Sequence, residues 1–153
     1  MKIDFYFRDY MYGDFEKISL LWETIGLGDK KRGDNESVIL KTIKSGGKFI
    51  LMLEKTTNNL IGTSWITNDY RRLYLHHFGI AKEFQGKGLS KPLLQESLLF
   101  AKTTGLQIKL EVHKNNKIAC NLYEKYGFSY LGDYLVYIIR DVHTITSSGV
   151  IRK

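Results

Sequence analysis

The chain has 153 residues, of which 43% are hydrophobic and 13% aromatic, with a formal charge of +7. That is enough apolar material for one globular domain and too much for a disordered segment. No run approaches the roughly 18 apolar residues needed to cross a bilayer, and the start MKIDFYFRDY has no apolar signal core. Cys120 is the only cysteine, which excludes an internal disulfide and a cysteine-based zinc site, so a cytoplasmic protein without bound metal is expected. The basic excess favours anionic ligands. Yet the densest basic cluster is KKR at 30–32, so nucleic-acid binding stands only as a runner-up.

In chain order, IDFYFR reads as a strand and DFEKISLLWETIGL as a helix, with Asp14 as its N-cap and Ile18, Leu21, Trp22 and Ile25 at helical spacing. After the polar loop GLGDKKRGD, a second helix starts past Asp34 and ends at Gly46 and Gly47. KFILMLE, LIGTSWITN and LYLHHFGI then form an antiparallel meander through the turns TTNN and DYRR. The pattern changes at FQGKGLSKPLL. Leu89, Leu93, Leu94, Leu98 and Ala101 make a helical stripe that Gly105 stops, and QIKLEV follows as a strand parallel to LYLHHFGI. A short helix from about Lys117 to Tyr126 is capped by Asn115 or Asn116 and ended by Gly127. Final strands are expected at 130–131 and in LVYIIR, before a polar tail at 143–153.

The loop FQGKGLSKPLL is the chain's clearest ligand signal. A Walker loop needs a glycine five residues before Gly86-Lys87 and a hydroxyl after, but Ala81 and Gly88 stand there. The dinucleotide fingerprint fails at Lys91. Pro92 belongs in a first helical turn, which puts the helix start near Gly88 to Ser90. The N–H groups around 86–90 then lack partners, and glycines leave them open to a pyrophosphate.

The order of elements, with QGKGLS close to the pattern Q/R-x-x-G-x-G/A and NKIACNLYEKYGF close to N-x-x-A-x-x-L-Y-x-K-x-G-F, resembles the GCN5-related N-acetyltransferase (GNAT) family over roughly residues 3–140. The chain departs from the family at Ile80-Ala81-Lys82, where Val-x-Pro is common, and at Ser90, where the last small residue of the loop stands. What the resemblance implies is a single α/β domain over 1–142. It would have a twisted mixed sheet of about six to seven strands, helices on both faces, and a splay between the fourth and fifth strands. It also implies acetyl transfer from acetyl-CoA to an amine. On this reading the backbone of Gln85, Gly86, Lys87, Gly88, Leu89 and Ser90 holds the CoA pyrophosphate. Phe78, Gly79 and Ile80 pair with the pantetheine arm, Asn116 lies near it, and Tyr123 lies near the thioester sulfur.

An amine attacks only as the free base, and an ammonium of this type has a pKa near ~10.4, so a base must take its proton. The departing thiolate, at about 8.5, needs an acid, and Tyr123 matches the family's tyrosine. Glu111 lies opposite the apolar set of QIKLEV, twelve residues before Tyr123. That resembles ribosomal-protein alanine N-acetyltransferases and makes Glu111 a candidate base, with a salt bridge to a lysine as the alternative. His77 and His76 are further candidates, although adjacent strand residues face opposite sides unless a bulge re-aims one. Cys120 could sit by the thioester but reads better as a small buried hydrophobe. For the acceptor, Arg32, Asp34, Arg71 and Arg72 in two polar loops could fix a carboxylate, a phosphate or an ammonium. The expected function is N-acetylation of a small molecule or peptide N-terminus by direct attack in a ternary complex, and a homodimer is compatible with it. The alternative is a CoA-binding regulatory module without transfer.

Overall fold

The computed structural model describes residues 2–149, so positions 150–153 of the expected tail lie outside the described residues. Five strands form one sheet in the order β1 (Phe5–Asp9), β2 (Lys48–Glu54), β3 (Leu60–Asn68), β4 (Arg72–Ile80) and β5 (Gln107–Leu110). The first four pair antiparallel, and β5, which follows a crossover helix, pairs parallel with β4. The helices are α1 (Phe15–Thr24), α2 (Glu36–Lys44), α3 (Ser90–Thr104) and α4 (Lys117–Lys125).

Strand alternation decides which helix covers which face. On β3, Thr63 accepts the Trp22 indole N–H of α1 at 3.0 Å, and Trp65 donates to Thr42 of α2 at 2.9 Å. The residue between them, Ser64, meets Ser97 of α3 at 2.7 Å. Neighbouring strand residues point to opposite faces, so α1 and α2 cover one side of the sheet and α3 the other. The apolar stripes read from the sequence are the buried ones: Ile18, Leu21 and Trp22 on α1, and Leu93, Leu94 and Ala101 on α3.

The helix ends follow ordinary chemistry. Asn35 caps α2 by accepting from Val38 N–H, and Gly105 ends α3 in the left-handed region. Asp14 stands at the head of α1 but does not cap it with its side chain. Its carboxylate instead takes two bonds from Arg8 at 2.6 and 2.8 Å and one from Met11 N–H at 2.8 Å, with Lys17 at 3.0 Å. Burial opposes that charge, but these donors outweigh it and hold the carboxyl below the usual range. A carboxyl depressed on folding contributes stability that is complete above its unfolded pKa of about 3.9 and is lost as the pH falls through the folded value. Asp14→Asn is therefore expected to cost about 2 kcal/mol at neutral pH and clearly less at about pH 3. Urea titrations at both pH values check this, and an equal loss at each would contradict it.

The expectation of six to seven strands is corrected to five among the described residues. Neither 130–131 nor 135–140 forms a strand, and β5 stops at Leu110, short of the expected Val112. The run YLVYII at 134–139 has strand propensity, but none of the described residues pairs with it or covers it: Tyr137 is 85% exposed and Leu135 77%. Propensity supplies no hydrogen-bonding neighbour, and a strand needs one.

Candidate active site

The sheet opens beside β4. Pairing with β5 covers only Arg72, Leu73, Tyr74 and Leu75, while β4 runs on to Ile80 with no strand on that side among the described residues. This is the expected splay, and it leaves the edge at Phe78, Gly79 and Ile80 open to an extended ligand, apart from the Ile80 carbonyl, which the Gln85 side chain takes. A bulge sits at its mouth. On the β3 side Thr63 pairs with Gly79 and Trp65 with His76, so Ser64 alone faces both His77 and Phe78. His77 takes up the extra residue at φ 43°, and its carbonyl accepts from Thr63 at 3.0 Å.

The bulge puts both histidines on the α1/α2 face. His76 packs on Trp65 and Tyr74, and His77 packs 4.1 Å from the Trp22 ring. Phe78 points the other way, to Tyr123 of α4. Simple alternation would have allowed only one histidine on this face.

At the far end of the open edge, the loop before α3 has the anticipated form. Gly86 and Gly88 have φ of 72° and 76°, which a side chain would strain, and a Cβ on either would meet nothing within 4 Å. The backbone N–H groups of Gly86, Lys87, Gly88 and Leu89 make no hydrogen bond among the described residues. Gln85 is the exception to the expected set. Its N–H is committed to Lys82 O at 3.2 Å, and its side chain donates to Ile80 O at 2.8 Å, so it braces the loop against β4. Ser90 opens α3, whose dipole adds positive potential to the same spot. Lys87 points its ammonium back to Glu83 O at 2.7 Å. Four free donors beside an open strand edge fit an extended ligand ending in a pyrophosphate.

Tyr123 is buried on α4 between Phe78 and Phe128, with ring centroids 6.0 and 5.6 Å away. Burial, with Cys120 one turn earlier, pushes its phenol up to about 12. It is thus a proton donor at neutral pH, and its hydroxyl has no partner among the described residues. Asn116, not Asn115, caps α4 by accepting from Ala119 N–H at 3.2 Å.

On the α1/α2 face the candidates separate. Glu111 lies just past the end of β5 at the splay, exposed. Burial and this neighbouring carboxylate together raise the Tyr74 phenol. His76 is held by Thr67 Oγ1 at 2.8 Å, and burial together with the charges of His77 and Lys109 lowers it to about 4. The His77 side chain is only 7% exposed, with Nε2 2.9 Å from Asp34 Oδ2 but without a well-directed hydrogen bond. Burial keeps it on the neutral side despite that carboxylate. Asp34 is therefore engaged with His77 of β4, and Arg32 within the loop between α1 and α2, donating to Leu27 O at 3.0 Å. The same loop crosses β4 at Gly79, where a Cβ would fall 2.4 Å from Ile25 Cδ1.

Arg71 and Arg72 belong to a different place, a hollow of about 310 Å³ lined by Thr67, Asp69, Arg71, Arg72, Leu73, Tyr74, His76 and Lys109. Sequence reasoning missed Tyr74 and Lys109. Their signal was the two-residue period that sets Tyr74 with His76 and Lys109 with Glu111. A hollow of about 360 Å³ beside α2 lies away from the splay.

Comparison with known proteins agrees with this geometry. The profile of the acetyltransferase (GNAT) family matches residues 15–128. A GNAT-family acetyltransferase from Staphylococcus aureus Mu50 superposes with a TM-score of 0.75 at 20% identity, covering 86% of this chain and 89% of that one. An acetyltransferase from Streptococcus agalactiae gives 0.73 at 19%, covering 88% and 91%. A GNAT-family acetyltransferase from Elizabethkingia anophelis, with acetyl-CoA bound, gives 0.60 at 21%, covering 84% and 78%.

Proposed function

Because the chain belongs to the acetyltransferase (GNAT) family and so uses acetyl-CoA, we propose that it acetylates a primary amine, of a small molecule or a peptide N-terminus, by direct attack in a ternary complex. One observation carries this reading: α4 sets Tyr123 against Phe78 at one end of the open β4 edge, and the free N–H groups of residues 86–89 stand at the other. When bound, acetyl-CoA supplies the thioester carbon that the amine attacks.

The residues then divide the work. Gly86, Lys87, Gly88 and Leu89 anchor the pyrophosphate through their backbone, with Ser90 at the helix start, and Phe78, Gly79 and Ile80 guide the pantetheine arm. Asn116 flanks that arm, and a backbone N–H near Ile80 faces the oxygen on which negative charge develops. Tyr123 donates its proton to the departing sulfur. Glu111, exposed at the mouth of the splay, takes the amine's proton directly or through water. His77 is a positioning residue: it sits between Trp22 and Asp34 and seats the loop between α1 and α2 on the bulge. The spacing of Glu111 and Tyr123 also supports the likeness to ribosomal-protein alanine N-acetyltransferases, and so a peptide N-terminus among the acceptors.

Single-turnover acetyl transfer to a mixed panel of amines, combined with CoA titration, tests the proposal. Binding without transfer would point to a regulatory module, and absence of CoA binding would defeat the reading. Glu111→Gln should lower kcat about a hundredfold, the usual scale of general-base catalysis, with CoA affinity unchanged. A rise in KM for the amine at constant kcat would make Glu111 an acceptor contact and not the base.

A further inference from the structure

The hollow beside β4 and β5 has a charge arrangement that the transfer chemistry does not need. The loop between α1 and α2 covers β4 at His77 and Gly79, so the open part of this face is the strip made by His76, Tyr74, Lys109 and Arg72. Three cations border it, Arg71, Arg72 and Lys109, against one carboxylate, Asp69. Asp69 is turned toward its own chain: Oδ1 accepts from Arg71 and Arg72 N–H at 2.9 and 2.6 Å, and Arg71 Nε lies 4.0 Å from Oδ2. The Arg72 guanidinium and the Lys109 ammonium have no carboxylate within 4.0 Å among the described residues. The Lys109 ammonium lies over the Tyr74 ring at 4.8 Å, which holds it at the wall of the hollow. At the other end, Glu111 beside Tyr74 marks where an amine would be relieved of its proton.

From this we infer that the hollow is the acceptor's recognition site and takes a carboxylate or phosphate carried by the amine substrate. This rests on the acetyl-transfer reading given above and names its substrate class. The strand sets the scale. Four residue steps along β4 lead from His76, at the splay, to Arg72, a distance of ~13 Å, and Lys109 pairs opposite Tyr74 about halfway, at ~7 Å. The anionic group therefore stands on the order of 10 Å from the reacting nitrogen. Arg72 can grip it with two N–H donors while Lys109 acts as a point charge. His76, tied to Thr67, is neutral at physiological pH and adds shape and a polar edge, not charge.

The test uses the full chain, acetyl-CoA and three amines of matched length: 6-aminohexanoate, 5-aminopentylphosphonate and the neutral 6-aminohexanamide. We expect kcat/KM for an anionic amine to exceed that for the amide by about tenfold or more, the scale of one charge-assisted contact. The better of the two anions identifies the source as carboxylate or phosphate. In the double variant Arg72→Gln with Lys109→Met, the ratio of anionic to neutral rates should fall close to one. Equal kcat/KM for all three amines in the unaltered protein would overturn the inference. A second readout does not depend on transfer: 6-aminohexanoate should shift the His76 ring resonances saturably in the unaltered protein and not in the double variant. That result would support the site even if no amine were acetylated and the transfer reading had failed. No saturable shift in the unaltered protein would overturn the inference, whatever the kinetics show.

Discussion

Tyr123→Phe is expected to lower kcat about a hundredfold to a thousandfold while CoA affinity changes less than about twofold. The two aromatic neighbours, Phe78 and Phe128, grip the ring and not the hydroxyl, so phenylalanine fills the same space. The lost oxygen has no partner among the described residues, so no buried group is orphaned and the variant should unfold no earlier than the parent. That separates a chemical role from a packing role. A phenol pushed up to about 12 is a weak acid beside a free thiolate at about 8.5, but on the proposed reading the sulfur would leave beside the same buried ring. Desolvation raises the thiol as well, which brings the two affinities closer. Rapid-quench turnover with parallel CoA titration checks the outcome. Undiminished kcat would remove Tyr123 as the acid, and a matching loss of CoA affinity would make it a binding contact.

Gly88→Val should weaken CoA binding about a hundredfold, the loss of roughly two charge-assisted contacts, and leave the fold intact. At φ 76° a branched residue is strained by about 1–2 kcal/mol, but its Cβ meets no protein atom within 4 Å. The penalty is thus local backbone strain together with obstruction of the N–H groups the ligand must reach. Gly88→Ala carries most of the strain and little of the obstruction, so it should fall between the two. Calorimetric titration of the three proteins orders them, with thermal melts showing a loss of only about 5 °C for either variant. Normal CoA affinity in Gly88→Val would mean the pyrophosphate is held elsewhere.

Much of the fold was legible because its signals are local. Ile18, Leu21 and Trp22 fix a helix face by spacing, Gly105 stops α3 by its conformation, and Asn116 announces the start of α4 by its side-chain chemistry. The parallel pairing of β5 followed from the crossover rule. The failures share a different cause. LVYIIR has the composition of a strand, but a partner is a tertiary fact, and the described chain supplies none. Asp14 has the right type for a cap, yet Arg8 on β1, six residues earlier, took its carboxylate.

For the site, the letters alone determined the form of the loop at 86–90 and the place of Tyr123 on α4, because glycine conformation, a helix start and a motif of fixed spacing are properties of contiguous chain. Tertiary structure alone decided which groups share the α1/α2 face. One extra residue opposite Ser64 turns His76 and His77 to the same side, which alternation forbids and only strand register reveals. Asp34 and the arginines, read together as acceptor contacts, were separated in the same way. The loop between α1 and α2 folds Asp34 onto His77, while Arg71 and Arg72 turn into a hollow with Lys109 from another strand. Charge and reach are written in residue types, but their partners are chosen by segments that meet only when the sheet is assembled.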